Sequence, residues 1–371
     1  MQTLFWRAAL IFSCCSQLLT RGSGAVNRNH FRRNTDGKNV FEDVGKLELK
    51  MVPVPRIQRE DQVLVEVEAV SICGTDVHIT AVPPGYEAVP GTILGHELVG
   101  KIIEKGEAVE HLQIGDRVVV NPNDYCGVCR YCRKNLPNLC ENIIPLGIDY
   151  HGAFAKYCLI SGKAAYKISE SVSAEAAACT EPLACAINGF HKVRILPGES
   201  AVIIGCGPIG LMIAMLAKAS GIGKLFLLEA APYRIDFAKK LGLGEVIDVK
   251  SQNAKDIIME QTGIGPDHVF DVTGSQVVQA VDLVRKGGHV VLFGVNKKSV
   301  SQVAQCEITT KEITVHGTWL ANATFPEAIR VLEDHLVDME KLVTDVIPLQ
   351  ELKAGIDKLA KGEAVKVVVK P

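Results

Sequence analysis

Between residues 200 and 319 the chain alternates strand-like and helix-like segments. AVIIG is followed by the helical PIGLMIAMLAKASG, KLFLLE by YRIDFAKKLG, and then come EVIDV, HVFDVTG, HVVLFG and ITVHGTW. Six short apolar runs separated by crossover segments cannot form a meander of tight hairpins, and they predict a doubly wound parallel sheet. Upstream, residues 39–180 carry short β-runs such as VLVEVEAVSIC and LVGKIIEKG separated by Gly and Pro, the pattern of a β-rich domain. The fold class expected is therefore α/β plus β, with a β-rich domain at 39–180 and a nucleotide-binding domain at 181–320. The remaining segment, 321–371, contains the helical FPEAIRVLEDHL and ELKAGIDKLAKG and closes with VKVVVK, a strand expected to return to the first domain. A chain of 371 residues is long enough for two domains of ordinary size.

The dinucleotide signal sits where such a sheet would need it. Gly205, Gly207 and Gly210, with Pro208 and Ile209 between them, spell GxGxxG directly after one strand and at the start of a helix. Glycines there permit a tight turn and close approach of backbone to a pyrophosphate, while the helix N-terminus offers free N–H groups. The other reading is a glycine turn that only lets helix pack on strand. Glu229, at the end of the next strand, can accept hydrogen bonds from ribose hydroxyls and would repel a 2′-phosphate, which favours NAD over NADP; it can also be a solvated strand end. Arg234 is a further contact candidate, as are Phe293, Gly294 and Val295 after the strand HVVLFG.

Cysteine usage adds two metal-type clusters. Cys126, Cys129, Cys132 and Cys140 follow C-x2-C-x2-C-x7-C in a loop rich in Gly, Pro and Asn. Four thiolates close a tetrahedral zinc shell and leave no place for water, so this lobe is expected to be structural. Cys73, His96 and Glu97 instead offer one thiol, one imidazole and one carboxylate, with Glu181 a fourth candidate from far along the chain. Three mixed ligands leave a position open, which is the pattern of a catalytic metal.

Twelve cysteines in a long chain do not resemble a compact disulfide scaffold and point to a reducing compartment, hence the cytoplasm. Hydrophobic content of 47% and a net charge of −2 give no reason to expect nucleic acid or membrane as partners. Residues 1–38 differ from the rest. Five arginines precede the first acid, Asp36, and surround the apolar run Ala8–Leu19, too short to span a bilayer. The segment reads as a disordered or misassigned start, as an organellar transit peptide, which would place the protein in mitochondria, or as a secretory signal.

Taken in order, CGTDVH, GHE, the four-cysteine lobe, TEPLACAIN and GCGPIG resemble the zinc-dependent medium-chain dehydrogenases, especially the polyol (sorbitol or iditol) and threonine dehydrogenase branches, from about residue 40 to the C-terminus. The resemblance implies a GroES-like catalytic domain, a Rossmann domain, NAD, and one catalytic and one structural zinc. It also implies a homodimer or homotetramer, and oxidation of a small secondary alcohol of polyol type to a ketone. Threonine or butanediol oxidation is the alternative within that family; a zinc-free quinone reductase and a non-catalytic zinc-binding protein on the same fold are the others. By position, Cys73, His96 and Glu97 look like catalytic zinc ligands, with Glu181 a further ligand or the holder of a bound water. Thr75 and His78 look like a proton relay, and Asp76 between them reads as a capping acid. Lys156 in GAFAKY departs from the acid that relatives carry there.

Overall fold

The structure, a computed structural model, describes residues 35–43 and 45–371. The expected leader lies outside the described residues up to position 34, and positions 35–38 belong to the opening strand Thr35–Asp43. That strand forms a hairpin with Lys46–Pro53 and also pairs with Thr92–Ile93.

All six strand candidates of the 200–319 region are strands of one parallel sheet. In sequence numbering within that sheet its order is 3-2-1-4-5-6, from Glu245–Asp248 at one edge to Thr314–Gly317 at the other. The order reverses between Ser200–Ile204 and His268–Asp271, and ligands of such sheets bind outside the C-terminal strand ends at that point. Pro208–Ala219 and Pro232–Leu241 are crossover helices, each with Pro in its first turn, where the missing N–H costs no intrahelical bond. Fully buried Phe226 and Phe270 fill the two faces of the sheet.

In the first sheet the hub is Gln62–Ser71, which pairs antiparallel with Glu97–Lys105, Tyr157–Ser161 and, from the far end of the chain, Lys366–Lys370. Val63, Val65 and Val67 face one hydrophobic core. A register shift between Val67 and Ala69 inserts one extra residue, after which Val70 and Ile72 face that core and Ala69 faces the other. Strict alternation would have sent Ser71 and Cys73 into the first core; the bulge turns Ser71 the other way, where its hydroxyl donates at 3.3 Å to the carbonyl of Ala178, two residues before the helix Thr180–Phe190. That helix is buried from Thr180 to Gly189 and belongs to the same core as the parallel sheet. The expected boundary at 180/181 falls at its first turn.

The final strand, Lys366–Lys370, lies between Gln62–Ser71 and Val343–Pro348. It sends Val367 and Val369 into one core and Val368 into the other. Among the described residues no helix is long and apolar enough to cross a membrane.

Candidate active site and metal centres

Sheet register assembles the mixed-ligand cluster. Ser71, at the end of its strand, pairs with Glu97 at the start of the neighbouring one, so Cys73 two residues later meets His96 and Glu97. The three donor atoms lie within 4.8 Å of one another. Cys73 caps the short helix Gly74–Thr80, and Asp76 Oδ2 accepts from the Cys73 backbone N–H at 2.9 Å. The capping role read for Asp76 is thus present, and its other oxygen has a second one. Asp76 Oδ1, completely buried and without another partner, stands 3.9 Å from His96 Nδ1, which is likewise buried and unpartnered. A carboxylate behind an imidazole fixes the ring's orientation and raises its basicity as a ligand.

The charges around this pocket call for a cation. Burial pushes the Cys73 thiol up, and the Glu97 charge adds to it. Burial together with Glu97 pushes the Glu181 carboxyl up to about 7. Burial alone would lower the His96 imidazole, yet the charges of Cys73 and Asp76 outweigh it and hold the ring well above its usual range. A divalent ion satisfies all of these groups at once, so the donor set fits zinc. Glu181, buried on the first turn of Thr180–Phe190, stands outside the 4.8 Å trio and accepts from Cys185 Sγ at 3.4 Å. Thr75 is half-buried and His78 exposed, one turn apart on the Gly74–Thr80 helix. Lys156 is on the surface, 3.6 Å from Glu66 and over the Tyr157 ring.

In the cysteine lobe the sulfurs of Cys129 and Cys132 are 3.5 Å apart, those of Cys129 and Cys140 3.9 Å, and those of Cys140 and Cys126 3.5 Å. Four thiolates at the usual Zn–S bond length define a tetrahedron with edges of about 3.8 Å. The lobe therefore fits one zinc ion closely. Backbone N–H groups of Cys126, Cys129 and Asn142 donate to these sulfurs. Hydrogen bonds from the Val128 and Cys129 amides pull the Cys126 thiol down to about 6. Buried Asn138 in the same lobe donates to the Trp319 carbonyl at 2.8 Å, so the lobe is bonded to the segment that follows the parallel sheet.

At the switch point of the parallel sheet lies a cavity of about 520 Å³. Gly205, Gly207, Pro208, Ile209, Gly210, Glu229 and Arg234 all line it. Gly205 has φ +108°, and a Cβ on Gly210 would sit 2.0 Å from the Gly205 carbonyl oxygen, so neither position tolerates a side chain. Glu229 does more than face the cavity. Its Oε2 accepts from the Cys206 N–H at 2.9 Å and its Oε1 from the Ala230 and Ala231 N–H groups, so the carboxylate also ties the glycine loop to the next strand end. Arg234 Nε is buried and unpartnered. Phe293, Gly294 and Val295 are outside this lining: Phe293 packs at Gly189, Gly294 against the Thr273–Gly274 backbone, and Val295 is exposed. Two groups at the metal pocket were not singled out from sequence, Ser71 and Lys366, both of which donate to Glu97 Oε2. A lysine inside a strand as apolar as VKVVVK was the available signal, because a buried lysine needs a partner.

The alcohol dehydrogenase GroES-like domain model matches residues 59–170 and the zinc-binding dehydrogenase model residues 208–334. A sorbitol dehydrogenase from Bacillus subtilis is 32% identical over 340 residues, spanning 90% of this chain and 96% of that one. An L-threonine 3-dehydrogenase from Caldanaerobacter subterraneus is 33% identical, spanning 86% and 93%. Among solved structures, a zinc-binding dehydrogenase from Sinorhizobium meliloti bound to NADP superposes with a TM-score of 0.85 at 29% identity, covering 91% of this chain and 99% of its own. With both halves matched and the relatives spanned almost end to end, the chain belongs to the zinc-binding dehydrogenases that carry a GroES-like alcohol dehydrogenase domain.

Proposed function

We propose that this protein oxidises a secondary alcohol, of polyol type, to a ketone and passes the hydride to NAD. The observation that carries the reading is the trio Cys73, His96 and Glu97 at one pocket, a donor set with a position left over for substrate. Zinc held there would supply Lewis acidity to the alcohol oxygen, and the nicotinamide would accept the hydride. The protein's own groups do the rest. Asp76 orients His96; Glu181 closes the pocket from the helix side; the Thr75 hydroxyl, as it takes the alcohol proton, gives up its own, which would pass by way of the cofactor ribose to His78, exposed, and on to solvent.

Polyols are the first substrate class because the sorbitol dehydrogenase relative spans nearly the whole chain. The threonine dehydrogenase relative supports amino alcohols as a second reading. Zinc per chain and reduction of NAD over polyols, amino alcohols and diols separate the two: the highest kcat/KM is expected among polyols, and a threonine optimum would overturn that choice.

NAD is favoured over NADP because the Glu229 carboxylate faces the cavity where a 2′-phosphate would sit. The neighbour bound to NADP marks the opposing outcome, for which Arg234 would be the phosphate partner. A preference of about tenfold or more for NAD is expected in kcat/KM, about 1.4 kcal/mol, and Glu229→Gln should narrow it. We read the enzyme as a cytoplasmic homodimer or homotetramer. No disulfide joins the described cysteines, and the edge strand Thr314–Gly317 exposes Val315. Light scattering of the purified chain measures the assembly.

A further inference from the structure

We propose that Lys366 and Ser71 are a positioning pair for Glu97: they fix one carboxylate oxygen so that the other alone is presented to the metal pocket. The last strand of the chain then belongs to the metal centre although it ligates nothing.

Three adjacent strands place these groups in one row. Ser71 pairs with Val368 on one side and with Glu97 on the other. Lys366, two residues before Val368, therefore shares Val368's face, the same face to which the bulge at Val67–Ala69 turns Ser71. Lys366 is 2% exposed and Glu97 1%. The ammonium donates to Glu97 Oε2 and, at 3.2 Å, to the Ile72 carbonyl; the Ser71 hydroxyl donates to the same Oε2. Two donors from two strands converge on one oxygen and leave it no freedom to turn into the pocket.

A buried ion pair is poor value as packing, since apolar side chains of the same volume hold a core at least as well. Its usefulness here is directional. A carboxylate held at one oxygen stays correctly aimed before any metal arrives, whereas a free one would swing to another donor. Partners of this kind behind metal ligands typically change metal affinity by about 10–100-fold when removed. Lys366 is thus a positioning residue, acting through Glu97.

The inference rests on Cys73, His96 and Glu97 being the metal-holding set, and the wild-type enzyme tests that reading separately. It should carry two zinc ions per chain, lose one to dialysis against dipicolinate, and take up one Co(II) with the visible absorption of a site that includes a thiolate. If wild type holds only one metal, the metal-site reading fails, whatever Lys366 does. With wild type behaving as stated, the Lys366→Met enzyme should bind Co(II) about 10–100-fold more weakly, with shifted visible bands and unchanged far-ultraviolet circular dichroism. A purely structural lysine would lower the unfolding midpoint and leave affinity and bands where they were. That result overturns the proposal. Should Lys366→Met not fold, Ser71→Ala removes the second donor at the cost of one atom; its Co(II) affinity should fall in the same direction, and affinity and bands matching wild type would overturn the proposal equally.

Discussion

The cysteine lobe and the Cys73 pocket are both built to hold zinc, and they differ in almost every physical respect. The lobe takes its four ligands from fifteen consecutive residues, 126–140, in loop and 3-10 turns; three of its thiols are half-buried, and backbone amides point at its sulfurs. The pocket takes its ligands from the adjoining ends of two paired strands, Cys73 just after one and His96 and Glu97 at the start of the other, and leans on a third strand and a helix for support. Its acids are buried, crowded and mutually repelling. A local closed site can form as soon as its loop exists and holds shape; an open site made of distant pieces depends on the whole fold and keeps a ligand position for chemistry.

Breaking the open site should have the largest effect. Cys73→Ser is expected to lower kcat/KM by about a thousandfold or more, because several kcal/mol of Lewis-acid stabilisation go with the metal. Zinc should fall from two per chain to one with the fold intact. Next comes Thr75→Val, which keeps the shape and removes the hydroxyl. A loss of about a hundredfold in kcat is expected, with Thr75→Ser near wild type and zinc content unchanged in both. A Thr75→Val rate close to wild type would return that residue to a packing role. His78→Ala should cost about tenfold or less and recover in part with small buffer bases, since solvent reaches an exposed side chain. The smallest change in rate belongs to the closed site. Cys129→Ser should lower the unfolding midpoint by on the order of 5 °C while leaving kcat within about threefold of wild type. If the Cys129→Ser enzyme stays as stable as wild type but loses its catalytic metal, the division between the two sites is wrong.

What could be read from sequence follows the same contrast. Cys126, Cys129, Cys132 and Cys140 are legible because their spacing is their geometry. The six parallel strands were legible from their alternation with crossovers, and Gly205 and Gly210 from the position of their motif at a strand end. The trio Cys73, His96 and Glu97 could be offered from its donor types and assigned by resemblance, but its meeting in space was not legible, since nothing local says that two strands will pair Ser71 with Glu97. The bulge at Val67–Ala69 was invisible: period-two reading of VLVEVEAVSIC places Cys73 on the wrong face. Glu229 was expected to wait for a ribose, and its carboxylate already serves three backbone amides, a local demand that sequence does not show.

The pairing of Lys366–Lys370 with Gln62–Ser71 also sets a clock. Ile72 and Lys366 are 294 residues apart. At a synthesis rate of about 5–20 residues per second, roughly 15–60 s pass between the emergence of one and the other. Throughout that interval Val70 and Ser71 lack the strand that will cover them, and an apolar sheet edge stands open to any passing chain. The first domain is thus born incomplete. A messenger that ends only six codons early would leave it permanently so, with its edge exposed and Glu97 without its lysine.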